Sequence, residues 1–190
     1  MGTVVEFPAG APVIFNSIPR KVVAALCRKY VGQIPNSNDG SGNLIDVPRL
    51  LWALAGNEST FGDNCKPRHE PAYDVGGYYY ERSQAVRDAV KKYGVDADGK
   101  ARAACSYGPW QVMLINTHYT PEELASDPAK VADATVHYLS TYVVQFRKAL
   151  TLAEILDTYN TGNWKDKNVP LKYIHDGVNY YQNFLLPPTS

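Results

Sequence analysis

Val22, Leu26 and Tyr30 recur at four-residue spacing behind a Pro19 that a first helical turn tolerates, and predict a helix from Ser17. Before it, residues 1–16 hold Pro8, Gly10 and Pro12 among apolar neighbours and predict an extended arm laid on the surface. Gln33 to Asn43, dominated by Asn, Gly and Ser, predicts a loop. The next helix starts at Asp46 as its cap, tolerates Pro48 in its first turn, and carries Val47, Leu51, Leu54 and Glu58 at intervals of four, three and four. A carboxylate therefore ends an apolar stripe.

Further on, Pro67, Pro71 and the Gly76-Gly77 pair exclude a long helix and predict a loop or hairpin over Cys65 to Gly77. Tyr78 to Tyr80 predicts a strand, Ser83 to Tyr93 a helix through Val86 and Val90, and Gly94 to Gly99 a polar turn. Thr120-Pro-Glu-Glu123 and Thr151-Leu-Ala-Glu154 both match the capping box, and Asp127-Pro128 opens a helix expected to run to about Leu150. Its apolar positions, among them Val131, Ala132, Thr135, Val136, Leu139, Tyr142, Val143 and Phe146, cover more than one face, so it is expected to be a central buried helix. A last helix is expected from Leu171 to Leu185, ahead of a Pro187-Pro188 tail.

With 190 residues, 45% of them hydrophobic and 20% charged, the chain is expected to build one globular domain over its whole length. Nineteen basic residues balance nineteen acidic ones, which gives no basic field for nucleic acid or for a polybasic membrane anchor. No apolar run reaches about eighteen residues, so no membrane insertion is expected, and Met1 to Phe15 lacks the basic and apolar regions of an export signal. Cys27, Cys65 and Cys105 allow at most one internal disulfide and lack zinc-site spacing; neither a metal nor a cofactor is expected. Fourteen tyrosines, rings with a polar tip, suit half-buried surfaces and sugar-binding clefts.

Glu58 is where chemistry enters. Burial at the end of an apolar stripe and the negative end of a helix both favour its protonated form. A carboxyl kept protonated near neutral pH is what cleaving a glycosidic bond requires, because the leaving oxygen must receive a proton as the bond breaks. Periodicity alone favours the plainer alternative, a Glu that turns out to solvent just after the helix ends. Around it, Glu58-Ser59-Thr60-Phe61-Gly62 resembles the Glu-Ser-x-Phe motif that follows the catalytic helix of the soluble lytic transglycosylases. Ser106-Tyr107-Gly108-Pro109-Trp110-Gln111-Val112-Met113 is similar to their Gly-Leu-Met-Gln segment, with Gly108 and Gln111 in register, and Tyr159-Asn160-Thr161-Gly162 to their Ala-Tyr-Asn-Ala-Gly motif. The three blocks stand in the family's order and span about residues 46–165.

That resemblance implies a mainly helical lysozyme-like domain that cleaves the β-1,4 bond between N-acetylmuramic acid and N-acetylglucosamine in peptidoglycan. It implies that Glu58 protonates the glycosidic oxygen and then takes a proton from the muramyl 6-hydroxyl, leaving 1,6-anhydro ends. It places Ser106, Gly108 and Gln111 along the cleft, Tyr159 beside Glu58 and an N-acetyl group, and Asn160 in the ordering of a late loop. The implied partner is the glycan strand, met by a monomer at the bacterial cell wall; with no export signal visible in the sequence, a phage-encoded, virion-borne or specially exported enzyme is the expectation.

One departure from the family is the long gap between Glu58 and Gln111, which marks residues 66–102 as an insertion. Any sheet is expected inside it, and the segment is expected to form one wall of the cleft, with Glu70 and at least one of Tyr78, Tyr79 and Tyr80 facing inward; Tyr79 is taken as a sugar contact. Glu70 or Asp74 is then a candidate second carboxylate for hydrolysis, as in goose-type lysozymes. Three rival readings can be weighed. A metalloprotease helix is excluded, since Tyr73 stands where H-E-x-x-H after His69-Glu70 needs a histidine and Pro71 breaks the helix. A thiol amidase would pair Cys105 or Cys65 with His118, His137 or His175. A non-catalytic glycan-binding module could use Tyr78, Tyr79, Tyr80 and Trp110.

Overall fold

A computed structural model describes residues 15–143, 150–162 and 169–184. It is 58% helical and 12% strand, with small sheets, which makes the domain mainly helical. The extended arm expected over residues 1–16 lies outside the described residues except for Phe15 and Asn16. So does the tail after Phe184.

Helix α1 (Arg20–Lys29) buries Val23, Ala24 and Cys27. Strand β1 (Gln33–Asn38) and strand β2 (Leu44–Asp46) form an antiparallel hairpin where the composition predicted a loop. Ile34 pairs with Ile45 and both are buried, so two isoleucines override the polar residues around them. The connecting turn is tied by the Asp39 carboxylate, which accepts the N–H groups of Ser41 at 2.8 Å and Asn43 at 3.2 Å.

Helix α2 (Val47–Ser59) follows directly and is buried nearly all round, through Leu50, Leu51, Trp52, Ala53, Leu54 and Ala55. It is therefore more than a stripe. Asp46 sits at the cap position but makes no side-chain cap; its carboxylate pairs with Arg49 at 3.5 Å instead. The helix ends abruptly because Thr60 (φ 54°) and Phe61 (φ 61°) both turn left-handed, and the Phe61 N–H returns to the Ala55 carbonyl at 2.9 Å. Ser59 Oγ donates to the Ala55 carbonyl and accepts the Gly62 N–H, and Gly62 packs on the backbone of Ile18. The Glu58-Ser-Thr-Phe-Gly run is thus a locked turn that fixes where Glu58 points.

The last helix, α8 (Leu171–Asn183), makes α2's largest contact. A glycine allows the approach: a Cβ on Gly56 would lie 2.4 Å from the Tyr180 ring and 2.8 Å from Phe61. Gly56→Ala is expected to lose about 1–2 kcal/mol, because overpacking of about 1–3 kcal/mol exceeds the gain of up to about 1 kcal/mol in helix propensity. Thermal melting should show a midpoint lower by roughly 3–6 °C; an unchanged midpoint would mean the two helices can move apart freely.

A second sheet orders β3 (Arg68–His69), β4 (Cys105–Tyr107) and β5 (Val112–Met113) antiparallel with β4 central. Both sheets reach outside residues 66–102, so the expectation of sheet only in the insertion is corrected. Within the insertion a 3₁₀ turn (Pro71–Tyr73) leads to α3 (Tyr78–Arg82) and α4 (Gln84–Tyr93). The tyrosine run is helix and not strand: Gly77 is seated directly on the carbonyls of Pro71 and Ala72, and Arg87 donates to the carbonyls of Tyr80 and Glu81, capping the short helix from outside. Helices α5 (Pro121–Ser126) and α7 (Leu152–Thr161) begin with complete capping boxes, as their sequences predict. Helix α6 (Pro128–Tyr138) buries Val131, Ala132, Ala134 and Thr135 and passes into a wider π-type turn over Leu139–Val143; the expected continuation to Leu150 through Phe146 lies outside the described residues. All three cysteines are buried free thiols, so no disulfide forms. No helix among the described residues is long and apolar enough to cross a membrane.

Candidate active site

Glu58 stands one residue from the end of α2 with its side chain only 6% exposed, at a cavity of about 280 Å³. Its two oxygens have different neighbours. Oε1 accepts a hydrogen bond of 2.6 Å from the Tyr173 hydroxyl on α8, and Oε2 lies 3.7 Å from Nη1 of Arg68 on β3. Burial raises the Glu58 pKa; the Tyr173 hydrogen bond and the Arg68 charge oppose that, and the Glu70 charge adds to it. The balance favours a protonated carboxyl, as a proton donor needs.

Sheet pairing assembles the neighbouring wall. Arg68 faces Ser106 in register, and Ser106 faces Met113, which brings the insertion and the second sequence block together beside Glu58. Glu70 Oε1 accepts from Arg68 Nε at 2.6 Å and lies 3.3 Å from Ser106 Oγ. Ser106 Oγ is nearer to Gln111 Oε1, at 2.8 Å, and Gln111 Nε2 donates to the carbonyls of Gly108 at 2.9 Å and Lys66 at 3.3 Å. Gln111, at φ 46°, is buried with both ends of its amide engaged, so it holds the wall together.

The opposite side comes from α7 and the end of α6. Tyr159 donates to the Trp110 carbonyl at 2.6 Å, and Trp110 Nε1 donates to the Leu51 carbonyl at 2.8 Å, so the block carrying Gln111 is pinned to α2 and α7 together. Tyr159 and Tyr173 are both pushed well above the usual tyrosine pKa, first by burial and then by the Glu58 charge, and stay hydrogen-bond donors. Asn160, in the last turn of α7 and not in a loop, is exposed at the cavity rim.

Seven of the sequence-derived site residues line this one cavity: Glu58, Glu70, Tyr79, Ser106, Gln111, Tyr159 and Asn160. Gly108 does not. At φ 68° its missing Cβ would lie 2.9 Å from Val131, so this glycine serves close packing on α6 and not the approach of a ligand. Asp74 is also placed elsewhere: it accepts from Val75 and Ala101 backbone N–H groups and lies 2.6 Å from His69 Nε2. Although burial opposes it, those hydrogen bonds bring the Asp74 pKa below its usual value. Asp74 clasps the insertion, and the same pairing occupies His69. Among the described residues no cluster of three or more His, Cys, Asp or Glu could hold a metal. Burial pushes the Cys65 thiol up to about 12 and that of Cys105 to about 11, which leaves neither a thiolate nucleophile near neutral pH.

Sequence reasoning missed Tyr173 and the bridging role of Arg68. Tyr173 and Gly177 lie four apart on one face of α8, and Gly177 meets Leu156 and Asn57 closely, so that spacing was the available sign that this face meets α2. Tyr173→Phe keeps the ring and removes the donor. It is expected to lower kcat about tenfold, the scale of a hydrogen bond to a charged group. Because that bond favours the ionised form, its loss should also raise the Glu58 pKa and move the alkaline limb of the pH–rate profile upward. An unchanged profile would remove Tyr173 from the site.

No protein-family model, curated protein or solved structure matches the chain.

Proposed function

We propose that the chain is a lysozyme-like enzyme that cleaves the β-1,4 glycosidic bond between N-acetylmuramic acid and N-acetylglucosamine in peptidoglycan, as a lytic transglycosylase. The observation that carries this is Glu58: a buried carboxyl with a raised pKa, opening on a cavity lined by residues of the three sequence blocks and of the 66–102 insertion. Oε1 is occupied by Tyr173, which leaves Oε2 to carry the proton. Glu58 gives that proton to the glycosidic oxygen as the bond to the muramyl C1 breaks. The resulting carboxylate then takes the proton of the muramyl 6-hydroxyl while O6 closes on C1, so the donor is regenerated and no water is consumed. Tyr79, Tyr159 and Asn160 supply rings and polar groups along the cavity for the sugars.

Hydrolysis is the second reading, and the place of Glu70 in the same cavity favours it. A non-catalytic glycan binder gains nothing from a buried carboxyl with a raised pKa, so it is the weaker alternative. The setting that follows is the bacterial cell wall, with the enzyme acting as a monomer on glycan strands. Mass spectrometry of purified peptidoglycan incubated with the protein tests substrate and reaction together: muropeptides ending in 1,6-anhydro-N-acetylmuramic acid are expected, and an undigested polymer would end this reading.

A further inference from the structure

Glu70 lies in the cavity, yet its Oε1 is engaged. Ser106 has one proton and stands nearer to Gln111 (2.8 Å) than to Glu70 (3.3 Å), so Arg68 Nε at 2.6 Å is the principal partner of Glu70. The Nε and Nη1 atoms of Arg68 belong to one rigid plane, so the point at which Glu70 holds Nε decides how near Nη1 comes to Glu58. That separation is 3.7 Å, beyond a hydrogen bond. The Arg68 side chain is 55% exposed and long, and among the described residues Glu70 is its nearest charged partner, the one that holds it short of the buried acid. Among the described residues, the charged or titratable groups facing Glu58 are Tyr173 on α8, Tyr159 on α7, and Arg68 with Glu70 in the β3 segment. Arg68 alone among them is a cation, and it lowers the Glu58 pKa.

We propose that Glu70 is a positioning residue that acts through Arg68: it tethers the guanidinium short of Glu58, so that the acid keeps its proton until substrate is bound. This rests on Glu58 being the proton donor of the proposed cleavage. It also gives the insertion a task in the chemistry, since residues 66–102 bring both members of the tether to a site otherwise built from α2, α7, α8, the end of α6 and the β4–β5 block. A guanidinium in full contact would hold Glu58 ionised and disable it.

The test is a double-mutant cycle on purified peptidoglycan, with kcat/KM followed against pH for Glu70→Gln, Arg68→Gln and the double variant. Glu70→Gln releases the guanidinium and removes a neighbouring negative charge, and both changes lower the Glu58 pKa. Its alkaline limb is expected about one pH unit below wild type, with a roughly tenfold lower rate on the alkaline side. Arg68→Gln alone removes the cation and should move the limb upward. In the double variant the limb should return to the wild-type position or above, and the rate to within about threefold. A double variant as slow as Glu70→Gln, with melting midpoints unchanged, would overturn the tether and give Glu70 a direct role in the reaction. An unshifted limb in Glu70→Gln would overturn it equally. Should either variant melt early, the Glu70→Asp variant provides the same comparison with a shorter carboxylate, and an unmoved limb there also counts against the tether. Wild-type protein that leaves peptidoglycan intact is a separate result: it removes the proposed cleavage itself.

Discussion

Glu58→Gln is expected to abolish peptidoglycan cleavage, with a loss of at least about 1,000-fold, because in the proposed mechanism the one residue serves as acid and then as base and each role contributes about 10²- to 10⁴-fold. The two losses do not simply multiply, since a site that cannot protonate the leaving oxygen never reaches the second step. Glutamine keeps the volume and can still accept from Tyr173, so the cavity and its affinity for glycan should survive. Stability should not fall. A carboxyl whose pKa is raised on folding binds its proton more firmly in the folded state, so the wild type loses stability as pH rises from the ordinary glutamate value of 4.5 through the raised one. The variant lacks that loss, and its melting midpoint should equal or exceed the wild type's above that value. Lysis, insoluble-peptidoglycan binding and thermal melting check the three parts. Undiminished lysis would transfer the chemistry to another group.

The same residue shows what was legible beforehand. The four, three, four spacing through Glu58 located the acid at the end of a helix, and α2 ends one residue later. Capping boxes at Thr120 and Thr151 announced α5 and α7, because there the signal is local and complete. The β1–β2 hairpin was hidden because its pairing depends on Ile34 meeting Ile45, a contact that composition cannot express. The tyrosine helix was hidden for a related reason: five residues are too few to hold a helix by propensity, and the carbonyls of Tyr80 and Glu81 at its end are satisfied by Arg87 from α4. Gly108 was legible as a special position but not as to purpose. A positive φ can serve a ligand or a neighbouring helix, and only the contact with Val131 decides between them.

Position along the chain also explains why the electrostatics went unread. Tyr173 is 115 residues from Glu58 and Glu70 meets Ser106 across 36, so the groups that set the acid's proton affinity arrive from separate elements. A sequence can nominate the acid. It cannot show that one guanidinium stands between two carboxylates, which is the arrangement that distinguishes a second catalytic carboxylate from a tether.

Digestion in ¹⁸O-labelled water is expected to give muropeptides with unlabelled 1,6-anhydro ends. The argument is one of competing nucleophiles. For water to win, a second base must activate it; Asp74 is occupied by His69 and two backbone N–H groups outside the cavity, and Glu70 has Oε1 on Arg68. In the proposed mechanism the muramyl 6-hydroxyl needs only Glu58 itself, which has just become a carboxylate with Oε2 toward the cavity. As part of the reacting sugar, that hydroxyl gains the advantage of an intramolecular group, which reaches effective molarities of about 10⁵–10⁸ M when well oriented, far above the concentration of any solvent. The mass of the product and the position of the label read the outcome directly. Labelled reducing muramyl ends, together with a severe Glu70→Gln defect that Arg68→Gln fails to relieve, would make Glu70 the second carboxylate of a hydrolase on this same cleft.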